Sequence, residues 1–235
     1  AARQHDDGRK TVFGQKGRWN GDEVIDLIFR QPAAAGFVPK ELCRFYLSDE
    51  SIPAAYSEAL GESWRRDGFN CAKLLNRFFQ SRLFYHRAFR ANMIKSPFQF
   101  YLGLLQDLDL DPQPFPRFTQ NLMRQMGQPF YDPPNVRGWV GGQRWINAST
   151  LAARRQTVIG AFTEMDEDRL NADEIIEVAT AAGNGRATFA VPPDAYQALA
   201  ELPADEAVTR LVRAYLAAPT DTATVRGLIR HVEAG

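Results

Sequence analysis

Residues 5–10 gather His5, Asp6, Asp7 and Lys10: an imidazole, two carboxylates and an amine within one short stretch. Groups of these types suit acid/base catalysis or a set of divalent-metal ligands. They suit a surface hydrogen-bonding cluster equally well. A second polar set, Asp132, Arg137, Arg144 and Asn147, is embedded in the stretch Phe130–Asn147. There Pro133 and Pro134 fix φ and remove two donors. Gly138, Gly141 and Gly142 open backbone conformations closed to other residues. Trp139 and Trp145 are large hydrophobes that have no place in a floppy loop. The stretch reads as a long, ordered, non-repetitive loop, and ordered loops of that length are often functional.

Two readings follow. In the first, the tryptophans anchor the loop on surrounding helices and Arg137 and Arg144 meet a protein or glycan partner, since Trp and Arg are enriched at binding hot spots. In the second, residues 5–10 and 132–147 share one polar cleft, with Asp6 or Asp7 pairing Arg137 or Arg144. A hydrolytic or metal-assisted site would then draw on His5, Asp6, Lys10, Asp132, Arg137 and Asn147. Neither a Gly-x-Ser-x-Gly nucleophile motif nor a His-Glu-x-x-His metal pair is present. His5, His86 and His231 are the only histidines, too few for a multi-histidine centre. Gly8 and Gly14 are not followed by the Gly-Lys-Ser/Thr of a phosphate loop. No cofactor is expected.

The elements that must position these groups are helices. Asn20 or Gly21, Asn70, Ser96 and Asn147 or Ser149 are cap residues. Pro32, Pro53, Pro97 and Pro116 fit first-turn positions. The predicted inward residues are Val24, Ile25, Leu27 and Ile28, then Phe37, Leu42, Phe45 and Tyr46, with Pro39 expected to kink or split that helix. Tyr56, Leu60 and Trp64 follow, then Leu74, Leu75, Phe78 and Phe79. Next come Tyr101, Leu102, Leu104 and Leu105, then Phe118, Leu122, Met123 and Met126. Leu151, Val158, Ile159 and Phe162 are expected to close the core. Helices are also expected near 171–182, 193–200, 204–217 and 221–233. Thr11-Val12-Phe13 fits one short strand or hairpin arm. The fold class is therefore all-α: an irregular multi-helix bundle with one long Pro/Gly/Trp loop and a short N-terminal β-hairpin. Residues 1–165 are read as a helical core domain, and 166–235 as an acidic, Ala-rich helical tail packed on it.

The formal charge is zero, which argues against nucleic acid, despite arginines interleaved with aromatics over residues 77–95. Charge is nonetheless uneven. Residues 111–160 carry Arg117, Arg124, Arg137, Arg144, Arg154 and Arg155 against Asp111 and Asp132, whereas the tail is acidic. Absence of an apolar run of about 18 residues argues against a membrane span. No export signal is visible, and the opening Ala1-Ala2-Arg3-Gln4 reads like the middle of a longer protein. Cys43 and Cys71 lack metal-ligand spacing and are expected on the inner faces of neighbouring helices, where a disulfide remains open.

Three stretches together carry a resemblance. They are His5-Asp6-x-Gly8-x-Lys10-Thr11-x-x-Gly14, Ile94-Lys95-Ser96-Pro97, and Asp132-Pro133-Pro134-Asn135-Val136-x-Gly138-Trp139 with Trp145-Ile146-Asn147-x-Ser149-Thr150-Leu151 and Arg154. In this order the chain resembles the C-terminal half of the bacterial domain-of-unknown-function family number 1800. The resemblance implies a mostly helical, exported protein, periplasmic or extracellular. It also implies a sulfatase-like exported protein encoded nearby as partner. It brings no catalytic assignment.

Overall fold

The computed structural model describes residues 6–49 and 52–234, the side chain of Glu167 excepted. Eleven α-helices, three short 3-10 turns and one two-stranded hairpin make up the regular structure among the described residues, so the mainly-α reading with a short N-terminal hairpin holds. The chain falls into two compact units, 1–92 and 93–235, each described by itself.

The first unit opens on the hairpin β1 (Lys10–Val12) and β2 (Gln15–Gly17), antiparallel with Lys10 opposite Gly17 and Val12 opposite Gln15. Phe13 and Gly14 form its two-residue turn, both at positive φ, as the twist of a tight hairpin demands. Four helices follow: α1 (Gly21–Arg30), α2 (Pro32–Tyr46), α3 (Ala54–Arg66) and α4 (Cys71–Phe79). Asn20 closes a capping box with Glu23 at the head of α1. The end of α3 is fixed by Gly68 in the left-handed region. There the Phe69 amide donates back to the Trp64 carbonyl at 2.9 Å, and the two rings meet edge to face at 4.9 Å, the Schellman arrangement with its hydrophobic contact. The core is Cys43, Leu47, Leu60, Trp64, Leu74 and Phe78.

Three expectations change here. In α1 only Leu27 is buried, and Ile25 and Ile28, read as inward, are exposed. Pro39 does not split α2, which runs unbroken through a buried proline. Phe37 and Phe45 lie outside, 65% and 69% exposed, while Ala35 and Cys43 face the core. Small side chains occupy the face where α2 meets its neighbours, and the large rings are displaced to the surface.

Both cysteines are free, Cys43 buried and Cys71 exposed; Cys71 opens α4 and is not on an inner face. Burial pushes the Cys43 thiol from 9.0 up to about 11, and the thiolate is the reactive form. A disulfide reagent is therefore expected to titrate only Cys71 in the native protein and both thiols after denaturation. Rapid native reaction of both would place Cys43 at the surface. The folded state holds the Cys43 proton more tightly, so its contribution to stability is complete below pH 9 and is lost as pH rises through 11.

The second unit holds α5 (Pro97–Asp107), α6 (Pro116–Gln125), α7 (Ala148–Ala161), α8 (Ala172–Gly183), α9 (Gln197–Ala200), α10 (Ala204–Tyr215) and α11 (Thr222–Glu233). Ser96 and Gln99 form the capping box of α5 with Pro97 in its first turn. Tyr101, Leu105, Leu122, Met123, Met126, Ala153, Ala161 and Val191 share one core. The Asp111 carboxylate accepts from the amides of Ala187 and Thr188 at 3.0 and 3.1 Å, and this tie holds the segment carrying Val191. The predicted inner face of α7 is its outer one. Leu151, Val158, Ile159 and Phe162 are exposed, while Thr150, Ala153, Arg154 and Ala161 are buried.

Candidate functional site

His5 lies outside the described residues. Asp6 and Lys10 belong to the first unit and are brought together by their own segment. Asp6 Oδ1 accepts from the Gly8 amide at 2.8 Å, closing an Asx turn. The Lys10 ammonium pairs with Asp6 Oδ2 at 3.6 Å and donates to the carbonyls of Asp6 and Gly8. The cluster so formed is solvent-facing. Below it, Trp19 lies flat on Gly17, where an added Cβ would meet the indole at 2.7 Å, and its Nε1 donates to the Gln15 carbonyl at 3.2 Å. Among the described residues no group of three or more His, Cys, Asp or Glu side chains is placed to hold a metal ion.

The loop belongs to the second unit. It leaves α6 through Gly127, at positive φ, with the Gln128 amide donating back to the Met123 carbonyl at 2.8 Å. Gln128 Oε1 then accepts from the Phe98 amide at 3.1 Å, so the loop's first residues serve the head of α5. Tyr131 follows at φ +55, a conformation costly for a bulky side chain, and it is fully exposed. Asn135 builds the next turn: its Oδ1 accepts from the Arg137 amide at 2.9 Å and its carbonyl from the Gly138 amide at 3.0 Å. This turn lifts Val136 entirely into solvent. Asp132, Arg137 and Arg144 are all exposed.

At its far end the loop is locked. A short 3-10 turn over Gly142–Trp145 buries the Trp145 ring, 7% exposed. Thr150 Oγ1 donates to the Trp145 carbonyl at 3.0 Å. Asn147 caps α7, its Oδ1 accepting from the Thr150 amide at 3.0 Å and from Ser149 Oγ at 2.8 Å. The carboxamide oxygen of Asn147 thus serves the helix end. Trp139 is half-buried, and its Nε1 is buried without a hydrogen-bond partner.

The sequence profile described as protein of unknown function (DUF1800) matches residues 1–235. The chain is a DUF1800 protein. No curated protein and no solved structure matches it. Two of the stretches that carry the resemblance meet in the DUF1800 fold through Arg154, which lies in α7. Its guanidinium donates to the Lys95 carbonyl at 2.9 Å and lies 4.9 Å over the Phe100 ring. Arg154 is 8% exposed and its Nε has no partner; burial pulls the guanidinium below its usual range. By its charge, Arg154 counts in the sequence only as one cation of the basic stretch 111–160, because a cation on an amphipathic helix is normally read as solvated.

The unpartnered indole of Trp139 sets up a contrast. Trp139→Ala removes a partly buried ring and is expected to cost about 2–3 kcal/mol, below the full-burial range. Trp139→Phe keeps most of the ring and removes a buried N–H that costs about 1–3 kcal/mol when unpaired, so it is expected to fall within about 1 kcal/mol of the native protein. Chemical denaturation checks both. Equal losses in the two variants would mean that the N–H is bonded in solution.

Proposed function

We propose that this DUF1800 chain is an exported interaction module whose 130–147 loop docks a protein partner. The observation that carries this reading is Tyr131: a bulky side chain fully exposed on a left-handed backbone, within a loop otherwise fixed by turns and a buried tryptophan. Strain of this kind persists only where the surroundings impose it, and it concentrates at ligand-binding segments. The loop exposes the apolar Tyr131, Val136 and Val140 and the cations Arg137 and Arg144. A partner of complementary chemistry offers an apolar pocket rimmed by carboxylates. The family resemblance nominates an exported sulfatase-like protein, which fits a periplasmic or extracellular setting. No helix among the described residues is long and apolar enough to cross a membrane.

The test is a binding titration against the sulfatase-like neighbour. The double variant Tyr131→Ser/Val136→Asp is expected to weaken binding by on the order of 100-fold, as loss of a hot spot does, with an unchanged melting temperature. Undiminished affinity in the double variant would remove the loop from the interface, and no binding by the native chain would remove this partner.

A further inference from the structure

A groove of about 410 Å³ opens in the second unit, walled by α6 and α7 and floored by α5. Its α6 wall is made by Phe118, Asn121 and Gln125, at the i, i+3, i+7 spacing of one helix face. From α7 come Gln156, Thr157 and Gly160, and from the connecting segments Gln113 and Phe189. Gln113, Asn121, Gln125 and Gln156 thus line the space with Phe118 and Phe189, the Gln113 Nε2 already donating to the Phe189 carbonyl at 3.3 Å, and no charged side chain lines it. At the floor Tyr101 is 4% exposed and its hydroxyl has no hydrogen-bond partner. A buried hydroxyl left unpaired costs free energy that a ligand can recover. Gly160 keeps the α7 wall low: a Cβ built there meets nothing within 4 Å.

We infer that this groove is a binding site for a neutral saccharide. A carboxamide offers a donor and an acceptor on one rigid plane, which matches sugar hydroxyls that both give and take a hydrogen bond. Aromatic rings offer a flat apolar face to the C–H side of a pyranose. The absence of charge in the lining disfavours uronic acids, phosphorylated sugars and sulfated sugars. An extended peptide is the poorer occupant: it binds along a free sheet edge, or as an amphipathic helix in a continuous apolar groove. Here the walls are helices whose backbone groups are bonded internally, and amides interrupt the apolar surface. The volume lies within the range of about 300–1,000 Å³ for small-molecule sites. The site is distinct from the 130–147 loop and does not depend on that loop's role.

Ligand-observed saturation-transfer NMR tests it on the full chain. The probes are neutral trisaccharides (maltotriose, cellotriose, xylotriose, chitotriose), with trigalacturonate and acetyl-trialanine-amide as comparisons. At least one neutral trisaccharide is expected to show transfer, constant from pH 5 to pH 8 because no carboxylate, imidazole or thiol lines the groove. Gly160→Leu fills the groove and is expected to reduce affinity at least tenfold, with a melting temperature equal to or above that of the native protein, since leucine is the better helix former. The exposed pair Gln125→Ala/Gln156→Ala is expected to do the same with an unchanged melting temperature. The proposal is overturned by an absence of transfer from all four neutral sugars. It is equally overturned by transfer that survives both variants, or by preference for the uronate or the peptide.

Discussion

Gly61→Ala is expected to destabilise the protein by about 2–4 kcal/mol, whereas Gly36→Ala is expected to stabilise it by about 0.5–1 kcal/mol. Both glycines sit inside helices, α3 and α2, where alanine is intrinsically preferred. Their surroundings differ. A Cβ on Gly36 meets nothing within 4 Å; one on Gly61 would stand 2.5 Å from the Ala35 carbonyl oxygen. That carbonyl has a sequence-encoded reason to be there. In an uninterrupted helix it would accept from residue 39, but residue 39 is proline and has no N–H. The freed oxygen faces α3, and only a glycine lets the second backbone approach it this closely. Alanine at 61 must push α2 and α3 apart at the crossing that also packs Cys43, Leu60 and Trp64. For a body of this size the loss corresponds to a melting temperature lower by on the order of 10 °C. Circular-dichroism melts of the two variants decide it, and a Gly61→Ala protein as stable as Gly36→Ala would show that the helices do not touch there.

The same crossing shows what was legible beforehand. Cap positions were, because capping is chemistry within three or four residues: Asn20, Asn70, Ser96 and Asn147 each accept a first-turn amide as their sequence context required. Stop signals were equally local, as Gly68 and Gly127 illustrate. Helix faces were not. In α2 and α7 large apolar residues (Phe37, Phe45, Leu151, Ile159) are exposed, and alanines, a cysteine and an arginine are inside. Hydropathy ranks side chains by size, but a close helix crossing selects small ones. The face that pays least in desolvation need not be the one that packs best. Arg154 is inside because the Lys95 carbonyl and the Phe100 ring are there to receive it, and those partners lie far along the chain.

For the site, local and distant information again diverge. The Asx turns at Asp6 and Asn135 and the ordered character of the loop could be anticipated from residue types. The strain at Tyr131 could not, since nothing in Phe-Tyr-Asp-Pro names the residue that takes positive φ. Nor could the groove between α6 and α7 be anticipated. Asn121, Gln125 and Gln156 look like ordinary solvated helix residues until α5, α6 and α7 are assembled around them.

Trp145→Ala is expected to lose about 3–5 kcal/mol, the range for a large aromatic removed from a packed interior, and to abolish loop-mediated binding as a consequence. The ring is 7% exposed, and the Gly141 backbone lies against it, a Cβ there falling 3.4 Å from its Nε1. Its carbonyl is held by the same Thr150 hydroxyl that completes the α7 cap, so losing the ring loosens both the loop's end and the helix's start. Val136→Asp provides the opposite case. That side chain touches solvent alone, and its replacement should leave stability within about 0.5 kcal/mol. The pair separates frame from contact. Loss of binding by Val136→Asp at full stability assigns the exposed loop residues to the partner. Loss only in Trp145→Ala leaves the loop a purely structural strap between α6 and α7. A Trp145→Ala protein that melts like the native chain would mean that the loop is held by its turns alone, and that the buried tryptophan is not its anchor.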